Sequence, residues 1–344
     1  MSPVGAVGSA ALGRGAPAHA IRKDESGSDV SPRSRRKGLR VVWRGVISAI
    51  TTPFNADLTV DHGLLAAHCR WLAENGIVGI LPIGSLGEGS TLSHAEKRQI
   101  LETCVGAVGD HVPVLPRISA LGTPEAVALA KHARAVGCRG LMVTPPYVHS
   151  GDWREIRAHL SAVMSATDLP CLLYNHRMPN RINFLPEQIA SLASDFPNLE
   201  AIKEPSVDVR RLTAIRTALG ERLEILTCVE DAIVEGIGAG ATGWIACLVN
   251  AFPAESVALF RYAVDGRKRE AAALYRWFLP LLRMDTAPKY VQLIKLAQER
   301  VGRGSSRVRP PRLSLEGDEL RAALDTIDGA LATRAGAVPA SASA

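Results

Sequence analysis

A lysine at the end of a short apolar run is the residue in this chain with the most chemistry to offer. Lys203 stands in the segment LEAIKEP at 199–205. On a strand, Leu199, Ala201 and Lys203 share one face, so the amine ends an apolar row and loses part of its hydration. Desolvation favours the neutral amine, which is the nucleophile. One reading is therefore an imine-forming enzyme. The other is a lysine that snorkels to solvent or pairs with Glu204, and the segment alone leaves both open.

Other reactive groups close comparable runs. Gly84-Ser85-Leu86-Gly87-Glu88 reads as a turn whose successive backbone N–H groups form an anion nest beside a helix N-terminus, suited to a carboxylate. Tyr147 follows VTPP at 143–146, and Tyr174 ends LLY at 172–174, followed by Asn175 and His176. Two phenols, the Ser85 hydroxyl and the Lys203 amine on one rim could shuttle protons to and from an imine. A strand-end tyrosine is also common core filler with a hydrogen-bonded tip. No second histidine or carboxylate stands at metal spacing from His176, and no metal is expected. Cys228 and Cys247 read as small core residues rather than nucleophiles.

The elements that must position these groups recur about every 30 residues from Trp43 onward: an apolar run, a polar or Gly-rich turn, then an amphipathic helix. The runs lie at 47–53, 77–83, 113–118, 140–144, 171–175, 199–203, 223–227 and 243–248. Eight such units, with no GxGxxG after the first, point to a (β/α)8 TIM barrel rather than a doubly wound sheet, and in a barrel the strand C-termini hold the chemistry. Helix starts are marked by Ser93 with Glu96 and by Asp152 with Glu155, each a capping box, and by Thr123 as N-cap before Pro124. Gly76, Gly109, Gly137 and Gly220 fit helix ends. After the eighth strand, periodic stretches at 253–264, 268–284 and 287–301 read as a C-terminal helical extension. The expected organisation is a disordered basic tail over 1–42, the barrel over 43–252, the extension over 253–334 and a disordered tail over 335–344.

Composition limits the function classes. The 344 residues are 47% hydrophobic, and the net charge of +6 resides in residues 1–44, where nine Lys/Arg face Asp24, Glu25 and Asp29; the remainder holds 31 basic and 31 acidic side chains. Nothing in that neutral remainder resembles a nucleic-acid footprint. No run approaches the roughly 18 apolar residues of a membrane helix. The N-terminal tail lacks the apolar core of a signal peptide. Six cysteines without CxxC spacing imply a reducing, cytoplasmic setting.

The motifs GSLGE (84–88), VTPPY (143–147), LLYN (172–175), AIKEP (201–205) and GWIACLVNAFP (243–253), in this order and spacing, resemble the dihydrodipicolinate synthase and N-acetylneuraminate lyase superfamily of class I aldolases, over roughly residues 43–302. The resemblance implies a Schiff base between Lys203 and a 2-oxo acid, with no other cofactor, and Tyr174 as general acid/base. It implies that Gly84, Ser85 and Leu86 hold the substrate carboxylate and that Ser85 links Tyr174 to Tyr147, the latter lent across the interface of a homo-oligomer, a dimer or tetramer. Ile245 would lie under the imine, with His176 also at the substrate. Two departures bear on the substrate. Pro179 stands where dihydrodipicolinate synthases have an arginine, and Leu86 replaces their second hydroxyl residue. The stretches KEPSVDVRR (203–211) and PKYVQLIKLAQ (288–298) are similar to the 1-pyrroline-4-hydroxy-2-carboxylate deaminases of hydroxyproline catabolism. The expected activity is dehydration and deamination of that cyclic imino acid to 2-oxoglutarate semialdehyde. A 4-hydroxy-2-oxo (sugar) acid aldolase or dehydratase, a 4-hydroxy-tetrahydrodipicolinate synthase and a non-catalytic 2-oxo acid-binding paralogue are the alternatives.

Overall fold

All eight apolar runs form strands: β1 (Gly45–Ala49), β2 (Gly79–Leu81), β3 (Arg117–Ile118), β4 (Leu141–Val143), β5 (Cys171–Tyr174), β6 (Leu199–Glu204), β7 (Glu224–Thr227) and β8 (Gly243–Ala246). This computed structural model describes residues 40–146, 151–175 and 183–334. Tyr147, His176 and Pro179 lie outside the described residues, as do both tails read as disordered, apart from residues 40–42. The runs are nearly continuous in apolar residues because parallel strands are covered on both faces. Every strand pairing is parallel, in the order β2-β1-β8-β7-β6-β5-β4-β3. The two ends of that order meet where the Ile80 N–H donates to the Pro113 carbonyl (3.0 Å) and the Leu115 N–H to the Ile80 carbonyl (2.8 Å). The sheet is thereby a closed barrel, the expected (β/α)8 architecture.

Between the strands run α1 (His62–Glu74), α2 (His94–Val108), α3 (Thr123–Val136), α4 (Trp153–Met164), α5 (Pro186–Asp195), α6 (Arg210–Leu219) and α7 (Ile233–Gly238). After β8 come α8 (Pro253–Val264), which packs on β1 and α7, then α9 (Lys268–Leu282), α10 (Tyr290–Arg300) and α11 (Gly317–Thr333). Both capping boxes form: the Glu96 N–H donates to Ser93 Oγ (3.2 Å) and the Ser93 N–H to Glu96 Oε2 (2.8 Å), with the same reciprocal pair at Asp152 and Glu155. Thr123 does not cap α3. The cap is Gly122, and the Thr123 hydroxyl instead meets His159 Nδ1 at 2.9 Å. Helix α10 begins at Tyr290, three residues later than its apolar periodicity suggests. Ala287 precedes Pro288, and the residue before a proline is driven out of the helical region. No helix among the described residues is long and apolar enough to cross a membrane.

Candidate active site

Strand alternation removes the pairing of Lys203 with Glu204. Its neighbour Glu204 points to the opposite face of β6, fully buried, and accepts hydrogen bonds from Asn175 Nδ2 (2.7 Å), Arg211 Nε (2.8 Å) and the Ser206 N–H (3.1 Å). Lys203 points the other way and cannot share that pair. It is 8% exposed, so it does not snorkel to solvent either. Lys203 and Tyr174 are register partners on β6 and β5, which brings Nζ 4.2 Å from the centre of the phenol ring. Both line a cavity of about 320 Å³ at the C-terminal ends of the strands.

Gly84, Ser85 and Leu86 form one wall of that cavity. Their turn is folded on itself by hydrogen bonds from the Glu88 N–H to the Ser85 carbonyl (3.1 Å) and from the Gly89 N–H to the Gly84 carbonyl (3.0 Å). Gly89 has to be glycine, because a Cβ there would sit 2.2 Å from the Ile83 carbonyl oxygen. The expected helix N-terminus is not beside this turn. Helix α2 starts only at His94, and its capping box already occupies its first amides. What holds the turn instead is charge. Glu88 adopts a left-handed φ of 54° and is fully buried, and its carboxylate accepts from Lys295 Nζ of α10 (2.7 Å) and from the Arg309 N–H (3.0 Å).

Ile245 is fully buried on β8 but does not line the cavity; Cys247, two residues further on, does. Tyr147 and His176 fall outside the described residues. The structure brings together Lys203, Tyr174, Ser85, Gly84 and Leu86.

Two charged residues at the site carry no local sequence signal. Arg117 of β3, 8% exposed, donates from Nη1 to Ser85 Oγ (2.6 Å), and its guanidinium lies 6.0 Å from the Tyr174 ring centre. Asp285, in the connection between α9 and α10, lines the cavity with Lys203. One carboxylate oxygen each of Asp285 and Glu230 and the Cys247 thiol all lie within 4.8 Å of one another. Glu230 is a poor ligand for an ion there, since its carboxylate already accepts the backbone N–H groups of Cys247 and Leu248. Burial also pushes the Cys247 thiol well above the usual thiol range, which keeps it protonated. The three groups suit proton sharing better than metal binding.

The electrostatics correct one expectation. Burial of Lys203 does favour the neutral amine, but Cys228, Tyr174, Cys247 and Asp285 favour the ammonium, and the balance lies upward. Burial pushes Tyr174 up to about 12 and Cys228 to about 11. At neutral pH the phenol and both thiols are therefore uncharged, which leaves Asp285 as the anion facing Lys203. Burial raises Asp285 to about 6, the Cys247 thiol and the Lys203 cation restrain that rise, and Asp231 adds to it. The resting lysine is therefore a cation with Asp285 facing it.

A model of the Dihydrodipicolinate synthetase family matches residues 42–329. A 4-hydroxy-tetrahydrodipicolinate synthase of Chelativorans sp. (strain BNC1) is 31% identical over 276 residues, covering 80% of this chain and 94% of the relative. The structure of the 4-hydroxy-tetrahydrodipicolinate synthase from the methanotroph Methylacidiphilum fumariolicum SolV superimposes with a TM-score of 0.80 at 26% identity, over 86% of this chain and 99% of that one. YagE from E. coli K12, a prophage protein of the dihydrodipicolinic acid synthase family solved in complex with pyruvate, gives 0.79 at 26% identity, over 83% and 99%. Members of the family are lysine Schiff-base lyases that work through the covalent imine and need no cofactor. With its barrel, its strand-end lysine and a match that spans most of its length, the chain belongs to the dihydrodipicolinate synthetase family.

Proposed function

We propose that Lys203 is the imine-forming lysine and that the substrate is a 2-oxo acid or cyclic imine bearing a hydroxyl at C4, best met by 1-pyrroline-4-hydroxy-2-carboxylate. The observation that carries this reading is the amine 4.2 Å from the Tyr174 ring centre in a cavity walled by the Gly84 to Leu86 turn. Lys203 attacks C2 of the cyclic imine and the ring nitrogen leaves as the 5-amine, which opens the ring. Tyr174, a neutral phenol, gives and takes the proton moved at C2. The protonated imine withdraws electrons as the C3–H bond breaks, a C3=C4 double bond forms and the C4 hydroxyl departs. Tautomerisation to the C5 imine and hydrolysis at C5 and C2 release ammonia, 2-oxoglutarate semialdehyde and free Lys203, with net uptake of one water. A homo-oligomer that lends Tyr147 to the neighbouring cavity, with His176 at the substrate, belongs to the same reading.

Leu86, buried at 2% exposure on the cavity wall, supports a substrate other than aspartate semialdehyde, since it offers no hydroxyl where the synthases have one, and Pro179 offers no donor. Synthesis of 4-hydroxy-tetrahydrodipicolinate remains the second reading, favoured by the names of relatives at about 30% identity. Incubation with each substrate set separates the two. Ammonia and 2-oxoglutarate semialdehyde from the pyrroline support the first, whereas efficient condensation of pyruvate with aspartate semialdehyde returns the protein to the second.

A further inference from the structure

Once the imine has formed, a base must take the C3 proton, and Tyr174 is poorly suited to that step. A phenol ionising near 12 is anionic in about one molecule in 100,000 at pH 7, whereas a carboxyl near 6 is anionic in about nine in ten. Among the described residues, the lining of the cavity that holds Lys203 includes one carboxyl, that of Asp285. It comes from outside the strands, on the segment joining α9 to α10, and it lies beside Glu230 and Cys247. The Glu230 carboxylate is pinned by the amides of Cys247 and Leu248 (3.0 Å for the latter), and Cys247 Sγ and Asp285 lie within 4.8 Å of it. Glu230 is fully buried and does not line the cavity; Asp285 does.

We propose that Asp285 is the base that removes the C3 proton of the Lys203 imine and returns that same proton to the hydroxyl leaving C4. This deepens the imine reading above and rests on it. The carboxylate accepts the C3 proton, the C–H electrons form the C3=C4 bond, the C4–O bond breaks, and the carboxyl so formed protonates the departing oxygen as water. Asp285 ends as it began, so the step needs no outside acid. Both bonds must then lie on the face of the substrate turned to α10. The substrate class is fixed accordingly: a 2-oxo acid or imine whose C3 hydrogen and C4 hydroxyl are on the same side. The groups facing Asp285 are Lys203 from β6, Cys228, Glu230 and Asp231 from the segment after β7, Cys247 after β8 and Tyr290 of α10. The thiols and the Tyr290 phenol, all pushed up by burial, stay neutral near pH 6, and burial also raises Glu230 well above the usual carboxyl range, so the profile reports Asp285 together with that neighbour and should lose its limb when Asp285 is removed.

The test uses pyruvate in D2O, which needs no knowledge of the natural substrate. Exchange of its methyl protons at C3 is followed by NMR, and borohydride trapping in parallel measures the imine on Lys203. Wild-type exchange should fall as pH drops through about 6, because the base is then protonated. Asp285→Asn should still trap pyruvate, which also shows that it folds, yet exchange per trapped imine at least about 100-fold more slowly with that limb gone. Tyr174→Phe should slow trapping but leave exchange per trapped imine within about threefold. Exchange by Asp285→Asn within threefold of wild type, or a wild-type profile without the limb, overturns the assignment. Abolished exchange per imine in Tyr174→Phe overturns it in favour of the tyrosine. Absence of trapping in wild type removes the imine itself, and this proposal with it.

Discussion

Lys203 and Lys295 are both buried, and their surroundings could hardly differ more. Lys295, 1% exposed, meets the Glu88 carboxylate at 2.7 Å, donates to the Arg307 carbonyl and lies 4.3 Å from the Phe54 ring centre. One carboxylate and one carbonyl hold its charge, against the nearby Arg309 and Arg312 cations. Burial still draws its pKa down, with Glu88 pulling the other way. Lys203 has a phenol face, two thiols and one shared carboxyl around it, and open cavity above. A matched cation is fixed and inert; a cation held by weak acids in a cavity can lose its proton to one of them. The difference separates a lysine locked into the wall of the site from one that faces its cavity.

Exchanging each lysine for a neutral side chain probes the contrast most directly. Lys203→Met should abolish covalent trapping of any 2-oxo acid by borohydride while leaving the melting temperature within a few degrees, and label found on another lysine in wild type would assign the chemistry elsewhere. Tyr174→Phe should reduce turnover about 100- to 10,000-fold with little change in substrate affinity, since it removes a proton carrier and leaves the amine and the turn. Equal values of kcat for the two proteins would reduce the phenol to packing.

Lys295→Met should instead strike stability. It leaves Glu88 buried without its closest cation, and removing one partner of such a pair typically costs about 3–5 kcal/mol. Chemical denaturation measures this, and a loss below about 1 kcal/mol would mean that the Arg309 N–H and the Arg312 guanidinium, 3.8 Å from Glu88, suffice.

The smallest expected effect concerns Asp285. Its folded pKa lies above the ordinary carboxyl value, so the folded state favours the protonated form. The stability it contributes is complete below about pH 4 and is lost as pH rises through about 6. Asp285→Asn should therefore raise the melting temperature by ~2–5 °C at pH 7.5 and by nothing at pH 4. A lowered melting temperature at pH 7.5 would mean that its attraction to Lys203 outweighs its burial.

Local patterns carried the frame of this molecule. Apolar runs located all eight strands, and alternation along β6 put Lys203 and Glu204 on opposite faces. The Ser93 and Asp152 capping boxes are complete within four residues and could be read directly; the α3 start was misplaced by one residue because Thr123 serves His159. Lys203, Tyr174, Ser85, Gly84 and Leu86 were legible because each closes a strand or its turn. Arg117 was not, being one polar residue in an apolar run whose partner Ser85 belongs to another unit of the barrel. Asp285 was hidden for a similar reason, since Asp-Thr-Ala-Pro between two helices looks like an ordinary connection. The Glu88 pairing with Lys295 spans 207 residues, a distance at which no local periodicity speaks.

That long pairing ties the catalytic wall to the order of synthesis. A nascent chain that has emerged only through β8 already contains Lys203, Tyr174 and Ser85. It has no Lys295 or Arg312 to neutralise Glu88, whose left-handed turn is then held at the expense of an unmatched buried charge, and no Asp285. Translation must run through α10 and the connection beyond it before the pocket is chemically whole. A product cut short at Leu282 is thus expected to be silent toward 2-oxo acids.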